Sequence, residues 1–442
     1  MPKSEVAIIG GGPAGYSAAL ECAARGKSVV VFEAHKLGGT CLHVGCVPSK
    51  TLLHFTENLK NAQKGFNGIA KIAAISVDYE KLHAFKNNVI QRLERGIASL
   101  FKAGKIKLEN TNAKIIGREN RLWKICANGT EFFFEHLIVA SGSKPAALPF
   151  LPFDNETILD NVAALALKTP PKTLAVIGAG AIGLELASVF SRLGSHVTIL
   201  EALPQFLPFL DDAIRPLATR AFKDLNIHLN TKLLKGTKTA DGVLLEFETP
   251  SGLATLTAEK VIVAIGRKPN TLGLPTNTAG FLESDESQNF WAAGDVAGQP
   301  MLAHKAYMDA RFIAQKIAGE KAEKATPPDY NNVPQIIYTQ PEIAFFGKSE
   351  AQLKAEGVDF ATHKTFFAAN ARALAHSESE GFLKILSDKK SAQILGAHII
   401  GTWASELIFP LQAAQSAGIT IQQLAHIIPA HPSFSEMISA GL

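Results

Sequence analysis

Cysteine is scarce in this sequence, with only four among 442 residues. A chain of this length is then not held together by a disulfide scaffold, so we expect a reducing, cytoplasmic environment. Long apolar runs are missing as well. The longest, Val6 to Ala24, is interrupted by glycine and proline, and no basic segment precedes it. We therefore expect neither a membrane span nor a targeting segment.

A strong charge imbalance is also absent. The formal net charge is +4, and the lysines and arginines are dispersed along the chain. This distribution argues against nucleic acid or an anionic membrane as a partner, and no metal site is predicted. The length and the ordinary apolar content indicate about three domains with sizeable cores.

Two of the four cysteines, Cys41 and Cys46, lie five residues apart in a glycine-rich segment. A regular helix would separate their Cα atoms by roughly 7.5 Å, which exceeds the roughly 7 Å that a disulfide tolerates. A bridge therefore needs a distorted backbone, which Gly45 can supply. Strained or accessible bridges are the labile, catalytic ones. On spacing alone, a redox bridge and two free thiols remain equally open; Cys22 and Cys126 are interpreted as packing residues.

The N-terminal segment has the pattern of a dinucleotide-binding turn. The apolar run Val6 to Ile9 predicts a buried parallel strand, and a helix is predicted from Pro13 to Arg25. Between them, Gly10 makes the tight turn, Gly12 lets a pyrophosphate approach the backbone, and Gly15 lets the helix pack on the strand. Glu33, at the end of the next strand, can accept hydrogen bonds from ribose hydroxyls.

The same unit recurs later in the chain. Strand Thr173 to Ile177 is followed by the glycines Gly178, Gly180 and Gly183 and, after a second strand, by Glu201. The glycine-to-acid spacing is the same in both units, which indicates that one chain binds two dinucleotides. Glu201 should repel a 2′-phosphate, and no Lys or Arg lies between Ala202 and Ile214 to neutralise one. The second site therefore favours NAD over NADP.

Proline-rich linkers separate these units from a C-terminal part of different composition. There, Ser349 and Gln352 form the pattern of a helix capping box. Strands are predicted at residues 360–367, 382–386 and 393–400, and helices at 404–416 and 421–426. His431 can act as a general base, with Glu436 to orient it. From chemistry alone, a surface turn is the preferred explanation of a lone histidine.

Taken together, these motifs resemble the pyridine nucleotide–disulfide oxidoreductase family over essentially the whole chain. The resemblance is carried by the segment from Gly38 to Lys50, both glycine turns, Gly294-Asp295, and His431-Pro432 with Glu436. It implies an α/β fold with two Rossmann-like domains and a C-terminal α+β dimerisation domain. The implied boundaries are 1–143 for FAD binding, 144–270 for NAD binding, 271–326 for a segment completing the FAD domain, and 327–442 for the interface.

The resemblance also assigns roles to residues. FAD would occupy the first site and NAD the second. Cys41 and Cys46 would form the redox disulfide, Lys50 would lie near the flavin paired with Glu185, and His431 with Glu436 would serve the disulfide of a partner subunit. Further flavin contacts would come from Glu33, Ala113, Ser141, Gly142, Ser143, Asp295 and Ala303. Leu233 and Gly266 would make further contacts to NAD.

The members that the chain most resembles oxidise dihydrolipoyl groups of 2-oxoacid dehydrogenase or glycine cleavage complexes, as homodimers. An NADPH-dependent reductase of glutathione or a similar disulfide is the nearest alternative, and Glu201 argues against it. Reductases of the family with extra C-terminal thiols are disfavoured because no cysteine follows Cys126. A catalytically silent flavoprotein subunit is a further alternative, against which the intact Cys41, Cys46 and His431 argue.

Overall fold

The structure is a computed structural model and describes residues 4–72, 74–320 and 325–442. The described residues form two compact units: residues up to 51, 78–146 and 266–330 form the first unit, and residues 52–77, 147–265 and 331–442 form the second. Among the described residues, no helix is both long and apolar enough to cross a membrane.

The first unit is built on a five-stranded parallel sheet. Its strands, in spatial order, are Phe290–Ala292, His136–Val139, Val6–Ile9, Val29–Phe32 and Lys107–Glu109. Both faces are covered, since Val6 and Ile8 belong to one hydrophobic cluster and Ala7 and Ile9 to another. This explains why the strand reads as an uninterrupted apolar run.

Helices cover one face of this sheet, and a second sheet covers the other. The long helices of the unit are Pro13–Ala24, Tyr79–Ala103 and Ala303–Ile317. The antiparallel strands opposite them are Ala113–Glu119, Leu122–Ala127 and Thr130–Phe134. A short ribbon pairs Ser143–Pro145 with Arg267–Pro269. Helix Gly39–Val44 and the start of helix Cys46–Gln63 carry the two cysteines of the motif, and 3-10 turns lie at Glu286–Gln288 and Gly294–Val296.

The second unit contains another parallel sheet of five strands. Their spatial order is Ile227–His228, His196–Leu200, Thr173–Ile177, Lys260–Val263 and Ile158–Leu159. The antiparallel strands Lys232–Thr239, Gly242–Thr249 and Gly252–Ala258 accompany it. Its helices are Asn161–Ala166, Ala181–Arg192 and Arg215–Ala221, followed by the 3-10 turn Lys223–Leu225. The short helix Gly65–Gly68 also belongs to this unit.

The C-terminal part of the second unit is an antiparallel sheet packed against helices. Its strands, in spatial order, are Gln335–Ile337, Glu342–Gly347, Ile394–Gly401, Phe382–Asp388 and Phe360–Phe366. The helices are Glu350–Ala355, Ala371–Ala375, Ala404–Ser416, Ile421–Ala425 and Glu436–Ser439, with 3-10 turns at Tyr330–Asn332 and Phe367–Ala369. The capping box between Ser349 and Gln352 is present as predicted. The fold class predicted from the sequence is thus confirmed.

Candidate active site

Cys41 and Cys46 form a disulfide, with their Cα atoms 4.6 Å apart. The separation is short because Gly45 interrupts the helical path between Gly39–Val44 and Cys46–Gln63, with φ −144° and ψ −111°. A Cβ at this position would lie 2.9 Å from the Thr40 carbonyl oxygen, so a larger residue could not make the same close approach. Cys46 is exposed and Cys41 is half-buried. Of the two alternatives that the spacing left open, the structure contains the bridge.

His43, which lies between the two cysteines, was not singled out from the sequence. Its Nε2 is 2.8 Å from the Leu37 carbonyl oxygen, to which it donates a hydrogen bond. Glu94 Oε1, on helix Tyr79–Ala103, lies 3.9 Å from the same nitrogen. The His43 side chain therefore ties the helix that carries Cys41 to the segment before it.

The first glycine turn has the geometry of a dinucleotide cradle. A Cβ at Gly10 would lie 2.4 Å from the Ala140 carbonyl oxygen, and one at Gly15 would lie 1.8 Å from the Gly10 carbonyl oxygen. Both positions therefore need glycine for packing. At Gly12 the nearest atom would be the Gly39 Cα at 3.8 Å, an ordinary van der Waals distance, so packing does not require glycine at the start of helix Pro13–Ala24. Phosphate bound there would meet free backbone N–H groups and the positive end of the helix.

Glu33 closes this turn from the neighbouring strand. The Gly11 N–H donates to Glu33 Oε2 at 2.6 Å, and the His35 N–H donates to Oε1 at 2.7 Å. The carboxylate is 7% exposed and is fixed beside the turn. Each oxygen retains acceptor capacity for a ribose hydroxyl, so the residues present fit the adenosine half of FAD.

The second turn repeats this arrangement atom for atom. The Ala179 N–H donates to Glu201 Oε2 at 2.7 Å, and the Leu203 N–H donates to Oε1 at 2.9 Å. A Cβ at Gly183 would lie 2.1 Å from the Gly178 carbonyl oxygen, whereas one at Gly180 would have no described atom within 4 Å. The second turn therefore fits a dinucleotide with a free ribose 2′-hydroxyl.

Asp295 lies at the carboxyl end of the strand Phe290–Ala292. Its Oδ2 accepts a 2.5 Å hydrogen bond from the Ser143 hydroxyl. Arg267 Nε donates to the Ser143 hydroxyl at 2.7 Å, and an Nη donates to the Ser143 carbonyl at 2.9 Å. The segment before Ser143 is fixed by Asn270, whose carbonyl accepts from the Ser141 hydroxyl and whose N–H donates to the Gly142 carbonyl. Arg267 and Asn270 were not predicted as site residues.

The remaining predicted residues occupy different elements. Ala113 begins the strand Ala113–Glu119, Ala303 begins helix Ala303–Ile317, and Lys50 lies in helix Cys46–Gln63, all in the first unit. In the second unit, Leu233 is buried in the strand Lys232–Thr239, and Glu185 is 5% exposed on helix Ala181–Arg192. The Tyr338 N–H donates to Glu185 Oε1 at 3.0 Å. Gly266, with φ +119°, accepts from the Ala146 N–H.

His431 and Glu436 are in contact. His431 Nδ1 lies 2.8 Å from Glu436 Oε1, and the Ser433 N–H donates to Oε2 at 2.7 Å. These two hydrogen bonds hold the pKa of Glu436 below its ordinary value, so the carboxylate stays ionised. The His431 side chain is 73% exposed and is therefore accessible to a second molecule.

Comparison with known proteins agrees with this geometry. Residues 4–310 match the family model described as pyridine nucleotide-disulphide oxidoreductase, and residues 333–440 match the dimerisation domain of the same group. The chain belongs to the pyridine nucleotide-disulphide oxidoreductase family. The predicted family is thereby confirmed, and the dimerisation domain supports the predicted homodimer.

Full-length relatives in this family are closely similar to the chain. It is 38% identical to a dihydrolipoyl dehydrogenase of Cupriavidus necator, over 98% of this chain and 96% of the relative. It is 35% identical to a dihydrolipoyl dehydrogenase of Bacillus subtilis, over 98% and 95% of the two chains. The crystal structure of LpdA from Mycobacterium tuberculosis superimposes with a TM-score of 0.92 at 26% identity, covering 99% and 98% of the two chains.

Proposed function

We propose that the chain is a dihydrolipoamide dehydrogenase that oxidises protein-bound dihydrolipoamide to lipoamide with NAD+ as the acceptor. The observation that carries this proposal is the Cys41–Cys46 disulfide, which follows the first of two nucleotide-binding units in the chain. Support comes from the two dihydrolipoyl dehydrogenases, which are similar over nearly their whole length.

The substrate step is a thiol–disulfide exchange. The first thiol of the dihydrolipoyl group gives its proton to His431 Nε2, and the resulting thiolate attacks Cys41 Sγ. The Cys41–Cys46 bond breaks, and Cys46 leaves as a thiolate. The second substrate thiol then attacks the substrate sulfur of the mixed disulfide and passes its proton to the departing Cys41 sulfur, so that lipoamide leaves and Cys41 is freed as a thiol. The substrate has then lost two electrons and two protons, and the cysteine pair carries the electrons.

Residues of the first unit would hold FAD. Gly10, Gly12 and Gly15 would cradle its pyrophosphate, Glu33 its adenosine ribose and Asp295 its ribityl chain. The further contacts would be Lys50, Ala113, Ser141, Gly142, Ser143 and Ala303. When bound, FAD supplies the two-electron chemistry that links the dithiol to the nicotinamide.

Residues of the second unit would hold NAD. Gly178, Gly180 and Gly183 would cradle its pyrophosphate, with Glu201 on the ribose and Leu233 and Glu185 as further contacts. Gly266, which belongs to the first unit, would add another contact. Because both Glu201 oxygens are anchored by backbone N–H groups, the carboxylate cannot swing away to admit a 2′-phosphate. We expect strong preference for NAD+ over NADP+.

The working form would be a homodimer in which His431 and Glu436 serve the partner's disulfide, and Lys50 would pair with Glu185. Its partners would be the lipoyl domains of a 2-oxoacid dehydrogenase or glycine cleavage complex, in the cytoplasm. The domain boundaries that accompany this proposal are 1–143, 144–270, 271–326 and 327–442.

The test is steady-state oxidation of dihydrolipoamide by the flavin-containing protein, with NAD+ and NADP+ compared. We expect turnover with NAD+, and loss of turnover in Cys46→Ser, which should keep its flavin spectrum. Reduction of glutathione disulfide by NADPH at a higher kcat/KM would identify the alternative reductase activity. A flavin spectrum without dithiol turnover, or normal turnover in Cys46→Ser, would rule out the proposed exchange.

A further inference from the structure

Two side chains bind the backbone of Gly294, the residue before Asp295, and a third side chain contacts those two. The Gly294 N–H donates to Asp309 Oδ2 at 2.9 Å, and Lys305 Nζ donates to the Gly294 carbonyl at 3.0 Å. Lys305 Nζ also lies 2.8 Å from Asp309 Oδ2. The Tyr330 hydroxyl donates to Asp309 Oδ1 at 2.7 Å, and Lys305 Nζ sits 5.1 Å from the centre of the Tyr330 ring. We call Lys305, Asp309 and Tyr330 the Gly294 clamp.

The Lys305–Asp309 ion pair of this clamp is buried, and a buried ion pair is weak evidence for a stabilising role. Lys305 is 2% exposed and Asp309 is 3% exposed. Desolvating two charges offsets most of their attraction, so an apolar pair at the same place on helix Ala303–Ile317 would usually be as stable. An apolar pair could not bind the backbone N–H and C=O of Gly294, as Asp309 and Lys305 do.

Gly294, the residue that the clamp holds, has an unusual backbone conformation. Gly294 has φ +76°, in the left-handed region, and it turns the chain from the strand Phe290–Ala292 into the 3-10 turn Gly294–Val296. Its two hydrogen bonds to the clamp fix the direction in which the next residue, Asp295, leaves the strand. On the other side, Asp295 Oδ2 is fixed by Ser143, which Arg267 holds in turn.

We propose that Lys305, Asp309 and Tyr330 are positioning residues that preorganise the Asp295 carboxylate for a hydroxyl of the flavin's ribityl chain. This inference rests on the proposed function, because it takes Asp295 as a flavin contact. The clamp fixes the backbone before Asp295, and Ser143 fixes its side chain, so the carboxylate loses little conformational freedom when the ligand binds. We expect such preorganisation to act mainly by slowing the release of the ligand.

The test measures the release of FAD from the holoenzyme, followed by flavin fluorescence after dilution. The central variant is the double substitution Lys305→Met with Asp309→Asn, which removes both charges together and leaves no unpaired buried ion. We expect it to release FAD about tenfold faster while its thermal midpoint in excess FAD stays near that of the wild type. Release at the wild-type rate would overturn the proposal.

A milder pair of variants decides the matter if the double variant does not fold. Tyr330→Phe removes only the hydroxyl that contacts Asp309, and we expect it to speed FAD release. Tyr307→Phe is the matched control: Tyr307 lies on the helix that carries Lys305 and Asp309, but its hydroxyl is 2.7 Å from the Tyr16 hydroxyl. Equal release rates in these two variants would also overturn the proposal.

Asp295→Asn separates this inference from the proposed function. If Asp295→Asn releases FAD at the wild-type rate, the assignment of Asp295 to the flavin is wrong. If Asp295→Asn releases FAD faster while the clamp variants do not, the assignment stands and the positioning role of the clamp fails.

Discussion

Glu436 sets the tautomer of His431. Its two oxygens are held by His431 Nδ1 and by the Ser433 N–H, and these contacts keep its pKa low and its charge in place. An ionised carboxylate at Nδ1 requires a proton on that nitrogen, which leaves the lone pair on Nε2. In the proposed function, His431 would accept the proton of an incoming thiol at Nε2, and Glu436 would stabilise the imidazolium that forms.

The substitution His431→Gln should separate two activities. We expect dihydrolipoamide oxidation to slow by about a hundredfold or more, the usual contribution of a general base. Transfer from NADH to an artificial dye should change little, because it needs no thiol deprotonation. Stopped-flow and steady-state assays of both reactions on one preparation provide the measurement, and equal slowing of the two would argue against the base role.

Residues in local motifs were predictable, and their supporting residues were not. Asp295 was named from the Gly294-Asp295 motif and Ser143 as a separate flavin contact, but the hydrogen bond that joins them spans 152 positions and was not predicted. Arg267 is 124 positions from Ser143. Pairings of this kind depend on how parallel strands order themselves in the sheet, which no local pattern in the sequence encodes.

At the scale of elements, the two nucleotide turns are the best-predicted parts of the chain. The matched spacing of glycines and acid indicated a repeat, and the structure shows the same pair of backbone hydrogen bonds at Glu33 and Glu201. Predictability here follows from packing: the first and third glycines of each turn have no room for a Cβ. The middle glycine has room for a Cβ. Its presence is therefore explained by the close approach of a ligand's pyrophosphate to the backbone.

Replacing the middle glycine of one turn by alanine should therefore weaken the binding of that turn's cofactor and leave the fold intact. In Gly180→Ala we expect the KM for NAD+ to rise by about tenfold, equivalent to ~1.4 kcal/mol, with the flavin content unchanged. The matched variant Gly12→Ala should instead lose FAD on gel filtration while its far-UV circular dichroism is retained. A loss of FAD in Gly180→Ala would contradict the independence of the two turns.

Some elements of the C-terminal part escaped prediction. The strands Gln335–Ile337 and Glu342–Gly347 complete its sheet, but the first is short and the second is buried almost throughout. Neither shows the alternation that revealed Phe360–Phe366. A strand as short as Gln335–Ile337 acquires its conformation from the sheet around it rather than from a periodic pattern of its own.

On the scale of the whole molecule, the second unit joins the second nucleotide sheet to the C-terminal sheet. Lys384 Nζ contacts Asp211 Oδ1 at 2.5 Å, across 173 positions of sequence, and both side chains are almost completely buried. Burial raises the pKa of Asp211 and the Lys384 hydrogen bond lowers it, with a net fall. Asp211 belongs to the segment that follows Glu201. The hydrogen bond to Lys384 therefore anchors this segment on the sheet of the dimerisation domain.

The dimer itself can be tested by complementation. The exposure of His431 and the match of residues 333–440 to a dimerisation domain support the proposal that His431 serves a second subunit. Cys46→Ser and His431→Gln homodimers should each oxidise almost no dihydrolipoamide. A mixed dimer, co-expressed with two affinity tags and purified on both, would combine the intact disulfide of one subunit with the intact His431 of the other.

One of the two sites in that mixed dimer would be complete, so we expect about half of the wild-type activity per dimer. A site formed within a single chain predicts no recovery, because neither subunit carries both groups. The control pairs Cys46→Ser with the double variant Cys46→Ser/His431→Gln, which leaves no intact disulfide and should remain inactive. Recovery in the first mixture alone requires that the substrate thiol lose its proton to one chain and attack the sulfur of the other.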